Sequence, residues 1–288
     1  MVDKRRWLVR GLVALATVVL VGGGFVAYRW FTRGPERSLR QGEQALERAG
    51  RALAAGDGGT AVSRSDEART YAAKALEDVA RARQTPRGQG EEIAQLDTLE
   101  GRGCWLRARA LRDLAFARAL ADGSPLEETD DPVVGEKFRS ILRIQDAAER
   151  DEALSCLRQA SLRLPEDAGV QREALRTASV LQPVPWEMAE KAARNLVQLD
   201  ARDARAQYML ARFEYEQPPT DGKAQAAPTP LARRSRERVL KARDHLAEAR
   251  KSPRCPLWRT LHLEAQVDQW LLNDAVKRDK TDEARRQE

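Results

Sequence analysis

The sequence predicts an all-α protein, with an N-terminal transmembrane helix followed by an α-solenoid of stacked antiparallel helix hairpins. Three observations carry that expectation. An uncharged and mostly apolar run, Gly11 to Tyr28, lies near the start of the chain. Across 288 residues, 42% are hydrophobic and 33% charged but only 5% aromatic. That balance of Ala, Leu, Arg and Glu favours amphipathic helices over sheets. Finally, one pattern of small and large residues occurs twice, at a fixed spacing, in the middle of the chain.

The apolar run is flanked by Trp7, Leu8 and Val9 on one side and Trp30 and Phe31 on the other. A stretch of that length with interfacial Trp at both ends reads as a single short span over residues 8–31. A cleaved signal peptide would share the basic start, Lys4-Arg5-Arg6. No A-x-A site follows the run, so an uncleaved anchor is expected. Lys4, Arg5, Arg6 and Arg10 flank one end, and Arg29, Arg33, Arg37 and Arg40 the other. The count of positive charges is nearly tied. The tight basic cluster on the short tail favours a cytoplasmic N-terminus, and long domains translocate largely regardless of charge. The soluble part is therefore expected on the periplasmic or other extracytoplasmic side. Most of the net charge of +6 belongs to this N-terminal stretch. The remainder is close to neutral, which excludes a nucleic-acid footprint.

Gly34-Pro35 ends this first segment, residues 1–34. Residues 36–55 read as a helix with Leu39, Ala45, Leu46, Ala49 and Leu53 on one stripe. Gly56 to Gly59 is a turn. Residues 63–84 form the partner helix, carrying Ala68, Ala72, Ala75, Val79 and Ala82. Thr85 to Gly90 is a breaker. Residues 91–121 are helical and long enough for two helices with a bend near Gly101-Arg102-Gly103. Residues 35–122 thus form degenerate hairpins. Asp122 to Pro132 is an acidic loop with Glu127, Glu128, Asp130 and Asp131. It matches no calcium-ligand loop and is expected to be solvated. Phe138, Ile141, Leu142 and Ile144 are expected to form a helix that pairs with the one carrying Ala153.

The repeated pattern lies in residues 123–216. Ala153, Leu157, Ala160 and Pro165 stand at offsets of +4, +7 and +12. Ala189, Ala193, Leu196 and Ala201 stand at the same offsets 36 residues later. Ala204, Ala206, Leu210 and Ala211 follow at helical spacing. Small residues let two helix backbones approach, and larger ones fill the gaps between them. The pattern resembles the tetratricopeptide repeat, a helix–turn–helix unit of about 34 residues. In that family the second helix carries a small residue, a large one at +4, a small one at +7 and a closing proline. Ala193 here replaces the aromatic and Ala201 the proline. The resemblance implies a scaffold or chaperone-like assembly factor whose first helices line an inner groove. Gln207, Arg212 and Glu214 are the candidate partner-binding residues on that basis, as exposed positions of the best-matched first helix.

Residues 217–230 hold four prolines within a polar stretch and read as a flexible insertion. Residues 231–275 form a C-terminal hairpin, in which Ala242, Leu246 and Ala249 repeat the +4 and +7 offsets. Residues 276–288 are a charged tail.

Catalytic machinery is not expected. His245 and His262 belong to no metal-ligand arrangement and read as helix-surface residues. Cys104, Cys156 and Cys255 are far apart in sequence and imply no disulfide framework. No G-x-S-x-G elbow, kinase signature or phosphate-cradling loop is present. The expectation is a non-enzyme with no cofactor and no metal, of bacterial type, bound to the membrane by one helix and to a protein or peptide partner. The alternatives are a non-catalytic accessory or anchoring subunit of an enzyme complex, and a structural envelope protein. The anchor is tested by fractionation. The full chain should remain in the membrane fraction after high-salt and carbonate washes, and release by carbonate would contradict a span over residues 8–31.

Overall fold

The computed structural model describes residues 34–84, 90–131, 136–181, 184–216, 235–253, 255 and 257–287. The expected anchor, the breaker at 85–89 and the insertion at 217–230 lie outside the described residues. Among the described residues, no helix is long and apolar enough to cross a membrane.

The described chain is all-α apart from one two-residue ladder. Its helices are α1 (34–54), α2 (Gly58–Arg83), α3 (Gly90–Ala121), α4 (Ala147–Arg163), α5 (Ala168–Val180), α6 (Trp186–Leu199), α7 (Ala204–Glu216), α8 (Arg236–Arg250) and α9 (Leu257–Gln287). The helices start where side chains satisfy their first free amides. Asp57, Asp167 and Ser235 cap α2, α5 and α8. Asp146 accepts from Glu149 N at 2.8 Å, and Asp203 from Ala206 N at 3.0 Å. Each such cap is worth about 1 kcal/mol. Gly56 and Gly123 end α1 and α3 with φ of +76° and +72°. In both, the next residue's amide reaches back five residues, Asp57 to Ala52 O and Ser124 to Ala119 O, each at 2.9 Å.

Two compact units result. The first comprises the described residues up to Leu126 together with Ile144–Arg163. In it α3 packs against both α2 and α4. Gly58 and Ala121 meet at one end of the α2–α3 pair, and Arg83 and Asp97 pair at the other, so the two helices are antiparallel. A Cβ on Gly58 would lie 2.5 Å from the backbone nitrogen of Ala121. Gly103 does not bend α3, which runs unbroken from Gly90 to Ala121. It instead leaves room for Leu76 of α2, which a Cβ would meet at 2.9 Å. The core joins Leu39 and Leu46 of α1, Ala68, Ala72, Ala75 and Val79 of α2, and Leu99, Leu106 and Ala110 of α3.

The second unit comprises Glu127–Arg143 and the described residues from Leu164 onward. Here α5 packs on α6, α6 on α7, α7 on α8 and α8 on α9, while α7 also touches α9. The expected helix around Phe138 and Ile141 does not form. Lys137–Phe138 pairs antiparallel with Thr129–Asp130, and Ile141–Arg143 makes a single 3-10 turn. The Ser140 hydroxyl accepts from Leu142 N at 3.2 Å, a local bond that competes with helix continuation. The Ala153 helix, α4, packs on α3.

The stripes read from the sequence are buried in four helices. Ala153, Leu157 and Ala160 in α4, Ala242, Leu246 and Ala249 in α8, and Ala193 and Leu196 in α6 are all inaccessible, and Ala189 nearly so. Ala75 and Val79 in α2 are likewise buried, with Ala82 packed against them. Burying each Leu stabilises by about 1.5–3 kcal/mol. Small neighbours make that burial possible. Ala160→Leu should therefore cost about 1–3 kcal/mol. Ala148→Leu, at an exposed position of the same helix, should shift stability by less than about 0.5 kcal/mol. Thermal melts of the two variants check this, and equal melting temperatures would contradict it.

Candidate functional site

The three residues expected to face a partner lie on α7, a helix enclosed along most of its length. Only Arg212 and Phe213 are half-buried and Glu216 exposed; every other position from 204 to 215 is buried. Gln207 is 4% exposed and Glu214 9% exposed. The expectation that they lie at the surface is corrected by their partners. The Gln207 amide donates to Ala201 O at 2.8 Å, and its oxygen lies 2.7 Å from His245 Nδ1. Glu214 accepts from Arg238 Nε at 3.0 Å and has Arg194 at 3.9 Å. Arg238 also donates to Phe213 O at 2.8 Å and its guanidinium covers the Phe213 ring. These bonds fasten α6, α7 and α8 to one another.

Arg212 is the member of the three that retains surface. It makes a bidentate pair with Glu216, at 2.9 and 2.7 Å. It also lies 5.7 Å from the centre of the Trp186 ring. Trp186 in turn meets Phe213 edge-on, with centroids 6.2 Å apart. The sequence had given no role to Trp186, Phe213 or Arg238, because they come together from three separate helices.

The site is a repeated device. Asp167 caps α5 and Gln171, fully buried, donates from its amide to Leu164 O at 2.9 Å. Asp203 and Gln207 do the same for α7. Arg176 of α5 lies 5.6 Å from the centre of the Phe138 ring, just as Arg212 of α7 covers Trp186. The Asp, Gln and Arg members of these sets share the 36-residue spacing of the alanine stripes, whereas the aromatic rings do not. An Asp-Ala-x-x-Gln-x-x-x-x-Arg string starting at Asp167 and again at Asp203 was the signal that could have assigned Gln207 to the interior.

The solvated-loop reading holds for Asp122, Glu127, Glu128 and Asp130, which are exposed, and fails at Asp131, which joins a second polar cluster. The Asp131 side chain is fully buried and accepts from Arg176 at 3.2 Å and Arg205 at 2.5 Å. Glu136 pairs with Arg176 at 3.1 Å. One carboxylate thus ties the 127–143 segment to α5 and α7. Removing one partner of such a buried pair typically costs about 3–5 kcal/mol. Among the described residues, no group of His, Cys, Asp and Glu could hold a metal ion. His262 remains at the surface, 3.1 Å from Gln266. Compared with known protein families, with curated proteins and with solved structures, the chain matches none.

His245 is half-buried rather than a surface residue, and burial pushes its imidazole below the ordinary range. Arg194 adds to that depression, while Glu214 and Asp244 oppose it. In the unfolded chain the ring titrates near ~6.5. Below that value the unfolded state binds more protons than the folded one, so stability is full above it and lost as pH falls through it. Between about pH 7.5 and about pH 5.5, the wild-type melting temperature should fall more than that of His245→Gln. Parallel curves for the two proteins would contradict a depressed imidazole.

Proposed function

We propose that this chain is a membrane-anchored helical-repeat protein of the tetratricopeptide type that holds a protein or peptide partner at a membrane surface. The observation that carries the reading is the recurrence of one residue pattern at a fixed interval. Buried small-and-large triplets in α4 and α6 share their 36-residue spacing with capping Asp167 and Asp203 and with buried Gln171 and Gln207. Units of this kind cannot bury their apolar faces alone, and stacking them yields an extended surface suited to a partner rather than a cleft suited to chemistry. The apolar run at residues 8–31 supplies the anchor in this reading, with the helical part outside the cytoplasm.

Contact is assigned to the last turn of α7. Arg212 presents a charged group over an aromatic ring, with Phe213 and Glu216 beside it. Arg on an aromatic platform is a residue type that dominates binding energy at protein interfaces. Gln207 and Glu214 support this surface from inside and do not touch the partner.

Photo-crosslinking of the full chain in its membrane tests the reading. A crosslinker placed at Glu216 should give a discrete adduct, and one at Lys241, exposed on α8, should not. Arg212→Ala should reduce the Glu216 adduct roughly 30-fold, as for a contact-centre residue worth about 2 kcal/mol. Its melting temperature should barely move. Identical crosslinking from both positions, or from neither, would contradict the assignment.

A further inference from the structure

Cys104 of α3 and Cys156 of α4, which sequence spacing left unrelated, lie opposite each other in the first unit. Ion pairs fix the register of the two helices. Arg163 of α4 pairs with Asp97 and Glu100 of α3. Arg107 of α3 pairs with Glu152 of α4. As numbers rise along α3 they fall along α4, so the helices are antiparallel. Residues 104 and 156 fall between these two sets of pairs, facing one another. The register sets the two thiols close enough to perturb each other's ionisation, and they are not covalently joined. Cys255 is engaged elsewhere, 2.9 Å from Thr260 Oγ1.

We infer that Cys104 and Cys156 form a dithiol site that closes to an intramolecular disulfide on meeting a small disulfide oxidant such as oxidised glutathione. Cys156 is half-buried and can be reached, whereas Cys104 is 6% exposed. The neighbouring Cys104 thiol, aided by the Arg107 guanidinium, holds the Cys156 thiol below its ordinary range. Cys156 in turn, together with burial, pushes Cys104 up. The thiolate is the attacking species, so Cys156 acts first. Its sulfur bonds to one sulfur of the oxidant, the oxidant's S–S bond breaks, and one glutathione leaves as the thiolate. Cys104 loses its proton and attacks Cys156 Sγ, and the mixed disulfide breaks to release the second glutathione. Two electrons pass from the cysteines to the oxidant, and the two thiol protons end on the two glutathiones.

The product clamps α3 to α4. Joining residues distant in sequence restricts the unfolded chain and stabilises the folded one. In an oxidising compartment the site is closed, and in a reducing one it is open.

The test uses the reduced full chain in detergent, treated with oxidised glutathione, alkylated and mapped by mass spectrometry. A peptide linking Cys104 to Cys156 is expected, with Cys255 alkylated. The melting temperature should rise by roughly 5–10 °C and return on reduction. Cys104→Ala should stop at glutathione on Cys156, and should form that adduct faster than Cys156→Ala forms one on Cys104. Full alkylation of both cysteines after oxidation would overturn the site. So would linkage between two chains, or glutathione retained on Cys156 of the wild type. Equal adduct rates in the two variants would overturn the order of attack.

Discussion

Close approach of helix backbones is the constraint on which the rest of the structure depends. The chain has few aromatics, so it cannot fill wide gaps between helices with large rings. It instead places alanine or glycine where backbones meet and one leucine or valine beside them. Ala153 and Ala160 around Leu157, and Ala242 and Ala249 around Leu246, are fully buried in this way. Gly42, Gly58 and Gly103 serve the same end in the first unit, since an added Cβ at each would collide with a neighbouring helix. Tight packing gains dispersion contacts over many atoms, which compensates for the small area of each side chain.

Such packing leaves little room for water, so the polar groups it encloses must satisfy one another. That requirement explains α7. Gln207 answers the carbonyl of Ala201, Glu214 answers Arg238, and Asp131 answers Arg205. These bonds consume the polar side chains that a sequence reader would assign to ligand binding. On α7 only Arg212, Phe213 and Glu216 escape burial. The same packing sets Cys104 and Cys156 opposite each other across α3 and α4.

The helical architecture was legible because its signal is periodic and local. The stripes of α2, α4, α6 and α8 are visible at +4 and +7, and those of α4 and α6 stand 36 residues apart. What was not legible depends on distance. Asp131 and Arg176 are 45 residues apart, so the partner that buries this one carboxylate of an otherwise solvated run is out of view in the sequence. Phe138, Ile141 and Leu142 have helical spacing, yet so short an apolar run does not fix its own conformation. There the ladder between Thr129–Asp130 and Lys137–Phe138 prevails. Gln207 and Glu214 were expected at the surface because the repeat resemblance places first-helix positions along an inner groove. Burial of a polar residue is decided by whether a partner is available, and its neighbours in sequence do not reveal that.

The helices differ in where they carry the large residue. In α4 it stands at +4, as Leu157, and in α6 at +7, as Leu196. Either order packs, so the account requires that each triplet be fitted to its own partner helix and not merely to a total volume. The most direct test is the exchange of the two residues in α4, Leu157→Ala combined with Ala160→Leu, followed by denaturation. Total side-chain volume is conserved. The account predicts that the exchanged protein remains destabilised by about 2–5 kcal/mol, the range for a lone Leu→Ala change in a core. Recovery of wild-type stability would show that volume alone holds α4 in place, and would contradict it.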